Sequence, residues 1–153
     1  MSRKMALLFS LIAVAVGAGL GYGAAHKSHG VLLPLDEVEW VVRDGPDWVA
    51  GDGSTVSVAV LWGDPSTGAH GRLVKLPAGF VVSNHAHTND YHGVNLRGTW
   101  RHTLLETGES RDLPPGSYVH QPGGEMHGDA CVGSNDCVLF LVSDRAYDFI
   151  KQE

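Results

Sequence analysis

Short apolar runs, broken at close intervals by glycine and proline, make up most of the chain. Val56 to Trp62 reads V-S-V-A-V-L-W, with Val56, Val58, Val60 and Trp62 alternating on one face, the period-two pattern of a strand. The turn formers Gly63-Asp64-Pro65-Ser66-Thr67-Gly68 end it. His70 to Leu76 and Phe80 to His85 follow, separated by Pro77-Ala78-Gly79. In Tyr91 to Arg97 the more apolar set is His92, Val94 and Leu96. That parity turns His92 inward and Tyr91, Gly93, Asn95 and Arg97 outward. After Gly98, Trp100, His102 and Leu104 line up as a second inward set. Pro114-Pro115-Gly116 introduces Ser117 to His120, and Pro122-Gly123-Gly124 turns the chain into Glu125 to Ala130. Cys137 to Val142 is apolar on both faces, as a strand covered from two sides should be. Glu37 to Val42 is expected as a first strand and Ala146 to Lys151 as a short terminal helix. About eight to ten short strands punctuated in this way predict an all-β sandwich or small barrel.

Composition narrows the class. The 153 residues support one domain with a sizeable core. The formal charge is −6 and no basic block occurs beyond Lys4, so nucleic-acid binding has no electrostatic footing. Residues 1–25 differ in character: Arg3 and Lys4 precede an uncharged apolar stretch that ends in Gly23-Ala24-Ala25. This is the build of a cleaved secretory signal peptide, although Met5 to Ala25 also has the roughly 20 residues that an uncleaved membrane anchor requires. Both readings place the remainder outside the cytoplasm, periplasmic or secreted. A polar lead-in over 26–35 then precedes a single domain over 36–153. In an oxidising compartment Cys131 and Cys137, enclosing Val-Gly-Ser-Asn-Asp, are expected to form a disulfide. A lone C-x5-C pair makes a poor zinc site.

Candidate chemistry concentrates between Gly79 and Gly98, where His85, His87 and His92 fall together. His85 and His87 are one residue apart, so on an extended strand both imidazoles leave the same face. The order G-x5-H-x-H-x4-H-x5-G is followed by G-x5-P-x-G-x2-H at Gly116, Pro122, Gly124 and His127. These two stretches resemble the paired motifs of the cupins. The departures are His92 where that family places glutamate, a final spacing shortened by one, and Cys131 where asparagine is usual. The resemblance covers 56–142 and implies a cupin-type jelly-roll β-barrel holding one divalent transition metal. His85, His87, His92 and His127 are the implied ligands, with contact to substrate as the alternative role for His92. Imidazole donors favour iron(II) or zinc, with manganese, nickel and copper as further possibilities. Asn95, Tyr118 and His102 are candidates to orient the ligands or line the pocket, and Glu125, two residues before His127, is a conceivable general base. His102 and His120 read otherwise as ordinary sheet histidines, and His26, His29 and His70 as surface residues.

No nucleophile elbow, phosphate loop or dinucleotide fingerprint is present in the sequence. Four neutral imidazoles would leave a divalent ion its full charge, which favours an anionic or chelating oxygen ligand. The resemblance therefore implies a dioxygenase-like enzyme acting on a small oxygen-containing molecule. The competing expectations are a non-catalytic zinc or ligand sensor resembling anti-sigma-factor cupin domains, and a metal-free sugar-binding cupin, against which the histidines argue. Family analogy further implies a homodimer, and membrane association only through an uncleaved N-terminal segment.

Overall fold

Strand-forming runs and glycine breaks resolve, in the computed structural model, into eleven strands over the described residues 30–152. The expected signal segment, with His26 and His29, lies outside those residues. The strands are β1 (Val41–Val42), β2 (Ser57–Gly63), β3 (His70–Leu76), β4 (Val81–Ala86), β5 (Tyr91–Arg97) and β6 (Thr99–Leu104). They continue with β7 (Ser110–Leu113), β8 (Tyr118–Gln121), β9 (His127–Val132), β10 (Cys137–Ser143) and β11 (Ile150–Lys151). One antiparallel sheet has the order β1-β2-β3-β10-β5-β8 and the other β11-β4-β9-β6-β7. Apart from β1-β2-β3 and the β6-β7 hairpin, every connection passes from one sheet to the other. That interleaving is a jelly roll, and it encloses an interior between the two sheets.

The interior is filled from both sheets by Val56, Leu76, Phe80, Val82, Tyr91, Trp100, Val119, Leu139 and Leu141. A second apolar layer, built on Ala59, Leu73 and Val138, lies under Leu35, Val38, Trp40 and Phe140. This accounts for the two-faced apolar pattern of β10: Leu139 and Leu141 face the interior, while Val138 and Phe140 belong to the second layer, Phe140 against Trp62. The first strand is shorter than the pattern indicates. Leu35–Glu37 forms a 3-10 turn and only Val41–Val42 pairs, because the residues before it serve as a lid on β2, β3 and β10 rather than as a ladder.

Two further expectations are corrected. From Tyr91 to Leu96 the parity of β5 is the reverse of the one its apolar count predicts: Tyr91, Gly93 and Asn95 are buried, while His92 and Leu96 are exposed; Arg97 is exposed as expected. Smallness and hydrogen bonding, not apolarity, fit the inner set to its place. A Cβ on Gly93 would come within 2.8 Å of Leu141 and 3.3 Å of Trp100. Asn95 donates from Nδ2 to the carbonyls of Gly98 (2.9 Å) and Leu113 (2.7 Å), tying the β5–β6 turn to the end of β7. Residues 146–151 form no helix. The segment stays extended, Ile150 and Lys151 pairing with Ala86 and His85. Helix would forfeit two docking interactions: Tyr147 packs over Arg72, and Phe149 stacks on His85.

Cys131 and Cys137 are joined by a disulfide between β9 and β10, which lie in opposite sheets. Both cysteines are buried in the main core. Reduction should lower stability by about 2 kcal/mol, the loop-closure contribution of so short a loop. Denaturant midpoints with and without reductant, compared with the C131A/C137A double variant, measure it.

Candidate metal centre

Three imidazoles converge inside the barrel. His85 sits on β4 directly opposite His127 on β9, and His87 follows β4 by one residue. A register shift between Val82 and His85 re-aims the strand: Val82 and His85 are both buried, although they are three residues apart. Strict alternation would have put one of them outside, so the bulge is what turns the histidine pair inward. The ring centroids of His85 and His127 are 4.2 Å apart, and those of His87 and His127 are 5.2 Å apart. One ligand nitrogen from each of the three lies within 4.8 Å of the others.

Hydrogen bonding fixes which nitrogen that is. Nδ1 of His85 donates to the Ser83 carbonyl (2.8 Å), Nδ1 of His87 to the Asp148 carbonyl (2.6 Å) and Nδ1 of His127 to the Glu125 carbonyl (3.1 Å). With the proton committed to the main chain, each Nε2 carries a free lone pair toward the cluster. Burial keeps all three rings neutral. It pushes the pKa of His87 and His127 down from 6.5 to about 4 and lowers that of His85. Nε2 of His127 is fully buried and has no hydrogen-bond partner. An orphaned lone pair of this kind is rare in folded proteins. A divalent cation bound by the three Nε2 atoms satisfies it, so the residues present fit a metal.

A carboxylate stands beside the triad. Asp129, two residues beyond His127 on β9, places Oδ2 3.8 Å from Nε2 of both His85 and His127. Its Oδ1 accepts from Trp100 Nε1 (2.7 Å) and from Nδ1 of His102, its cross-strand neighbour on β6 (2.7 Å). Nε2 of His102 in turn meets Oε1 of Gln121 (2.9 Å). The Gln121 amide cannot be reversed, because its Nε2 donates to the carbonyls of Pro122 and Glu125. Both nitrogens of His102 therefore face acceptors, an arrangement that favours the doubly protonated ring. Burial opposes that charge, but the hydrogen bond and charge of Asp129 outweigh it and the pKa of His102 is raised. Burial likewise opposes the Asp129 carboxylate, yet the bond from His102 and the neighbouring imidazoles bring it down to about 2. A carboxylate with one oxygen tied and the other facing two Nε2 atoms could add an oxygen donor to the three nitrogens.

The structure does not bring His92 to this centre. Its ring is on the outer face of β5, stacked 4.8 Å from His120, with Nδ1 2.7 Å from the Tyr118 hydroxyl. The inward residue is Tyr91, whose ring centroid is 5.4 Å from that of His87. Counting from Tyr91 keeps the motif spacing in full, as H-x-H-x3-Y-x6-G, so the residue replacing glutamate is a tyrosine. Of the other candidates, only His102 belongs to the site. Tyr118 is exposed on the outer face, Asn95 secures a turn, and the Glu125 carboxylate is exposed while its carbonyl anchors His127 and Gln121. His70, expected at the surface, is 1 % exposed with Nδ1 bonded to the Gly68 carbonyl.

A cavity of about 50 Å3 adjoins the triad, small beside the roughly 300–1,000 Å3 typical of drug-sized sites and suited to a ligand of a few atoms. His85, His87, Asp129 and Tyr91 line one side, and Arg43, Arg72, Tyr147 and Phe149 are also on its wall. Asp129, Tyr91 and Arg72 were not singled out by the sequence. Asp129 was detectable, since the two-residue spacing that draws attention to Glu125 also puts Asp129 on the inward face with His127.

The profile of the ChrR cupin-like domain family matches residues 37–146. No curated protein sequence matches the chain. Among solved structures, the polyketide cyclase RemF from Streptomyces resistomycificus superposes with a TM-score of 0.66 at 16 % identity, over 82 % of this chain and 87 % of that one. KdgF from Halomonas sp. gives 0.57 at 24 %, over 76 % and 96 %. A cupin 2 conserved barrel domain protein from Rhodopseudomonas palustris gives 0.58 at 18 %, over 72 % and 74 %. At these identities the likeness is one of fold.

Two outcomes test the centre. His85→Ala and His127→Ala should abolish stoichiometric zinc binding, Asp129→Asn should weaken it by about tenfold, and His92→Ala should leave it unchanged; competitive titration against a chromophoric chelator reads all four. The metal-free protein should also lose stability as pH falls from about 6.5 to about 4. Over that window the unfolded chain protonates His87 and His127 before the folded one does, so protons favour unfolding. Thermal midpoints of chelator-treated protein across the range should decline accordingly, and bound zinc should delay the decline.

Proposed function

The chain belongs to the ChrR cupin-like family, and from that membership we propose that it holds one divalent transition metal and acts on a small oxygen-bearing organic molecule in the barrel cavity. The observation that carries this reading is the unpartnered, fully buried Nε2 of His127, aimed at two further imidazoles whose protons are committed elsewhere. A metal held there supplies Lewis acidity to an oxygen ligand and, as iron(II), a means of activating dioxygen.

The protein's own groups do the rest. His85, His87 and His127 hold the ion, and Ser83, Asp148 and Glu125 keep their rings in register through the main chain. Burial raises the pKa of Tyr91 well above its usual value, so its phenol keeps its proton and can donate a hydrogen bond to a ligand oxygen. Trp48, Leu139, Leu141 and Phe149 make the cavity wall largely apolar, which limits water around a bound molecule. A cavity with His85 and His87 on its wall supports a metal that a small ligand can reach, over a purely structural ion. Solved structures similar in fold include RemF, a polyketide cyclase, and an oxalate oxidase in complex with glycolate, which supports an enzyme acting on small oxygen-rich molecules. A disulfide between buried cysteines supports export to an oxidising compartment.

Metal analysis of the protein taken from its own compartment, followed by oxygen uptake with small diketones and aromatic acids, tests the reading. Iron with substrate-dependent uptake is the expected result. Full zinc occupancy with no uptake would exclude the oxygenase chemistry and leave the non-catalytic zinc sensor.

A further inference from the structure

The cavity contains a charge that the protein itself does not balance. Arg72 projects from β3 into the interior and is only 5 % exposed. It takes part in no ion pair among the described residues. Its Nε is buried without a hydrogen-bond partner. The guanidinium lies 3.5 Å over the ring of Tyr147, which orients it but does not neutralise it. Arg43, of the same sign, sits 4.0 Å from the Trp48 ring and 5.7 Å from the Tyr147 ring on the same cavity wall, and the one carboxylate on that wall, Asp129, is already bonded to Trp100 and His102.

Arginine is almost never fully buried unless it is paired. Removing a guanidinium from water without a counter-charge is among the costlier choices a core can make. Simple packing does not account for it, since methionine or leucine would fill a β3 position at no electrostatic cost. The planar fork of a guanidinium matches a carboxylate with two parallel hydrogen bonds. The aromatic clamp of Tyr147 holds that fork at a fixed place in the cavity that also exposes His85 and His87.

We propose that Arg72, with Arg43 beside it, is the anion-binding end of this cavity, and that the molecule bound there is a small organic carboxylate. Its carboxylate lies against Arg72 and its remaining oxygen functionality reaches toward the three imidazoles. The inference rests on the cavity being a small-molecule site, and it narrows the substrate from any oxygen-bearing molecule to an organic acid. Tyr147 is a positioning residue in this arrangement, because it acts through Arg72.

The test uses glycolate, lactate and benzoate with their amides as probes, titrated calorimetrically or by ligand-observed NMR into the zinc-loaded and the chelator-treated protein. At least one acid should bind about tenfold more tightly than its amide, with a preference that persists when zinc is absent. In Arg72→Met that preference should fall to near unity while zinc affinity is unchanged. Arg72→Lys, which keeps the charge but loses the fork, should give an intermediate value and serves if the methionine variant does not fold. An acid preference undiminished in both variants, or no acid preference in the wild type, overturns the proposal. Failure of the metal reading looks different: the wild type then binds no zinc, and the acid preference of the metal-free protein still reports on Arg72.

Discussion

Three hydrogen bonds to the main chain decide whether this site can exist. An imidazole in the other tautomer would direct an N–H into the cluster, and one misplaced proton there would repel a cation and leave a donor with nothing to bond. The carbonyls of Ser83, Glu125 and Asp148 remove that alternative. Two of them lie two residues before the histidine they hold, so the local strand conformation supplies the lock. The third comes from the tail, 61 residues from His87 in sequence. Asp148 is itself secured by Thr88, whose backbone N–H and hydroxyl both donate to its carboxylate.

A polar network stands next to these locks and joins the two sheets. Gln121 belongs to β8 in the six-stranded sheet, while His102 and Asp129 belong to β6 and β9 in the five-stranded one. Trp100 completes it by giving its indole N–H to Asp129, which lets the largest fully buried side chain of the core sit beside a charged pair. A buried ion pair is seldom a net source of stability. Here nearly every donor and acceptor in the chain has a partner, the condition under which such a network specifies one arrangement of a core. The result is a wall of fixed polarity beside the triad, in a cavity whose other charges, Arg43 and Arg72, are left for a ligand.

The sequence makes the jelly roll and the three clustered histidines readable for concrete reasons. Glycine and proline mark nearly every strand end, and the two motifs bind His85, His87 and His127 to one topology. His92 stands out in place of Tyr91 because it falls on the more apolar face of the strand, and that face is the outer one. The inner face of β5 is determined by what it meets, Leu141 and Trp100 at Gly93 and the β5–β6 turn at Asn95, and no periodicity within the strand carries that information. Arg72 is hidden for the opposite reason. A lone arginine in an apolar strand ordinarily marks the solvent face, and only its position opposite Tyr147 shows that it points inward. The expected terminal helix fails on the same ground, since Tyr147 and Phe149 have partners only in the assembled barrel.

That assembled barrel has a consequence for the order of events in making the holoprotein. In small zinc modules the ligands are near neighbours and the ion folds the chain around itself. In this protein His85 meets His127 only when β4 pairs with β9, and His87 is locked only when the segment bearing Asp148 has docked. Contacts so distant in sequence form late and slowly, after the loop-closure entropy has been overcome. An ion taken up by these histidines would therefore be a passenger of folding and not its nucleus. Which metal such a site would take is then decided by what is available to the finished barrel in the compartment where it folds.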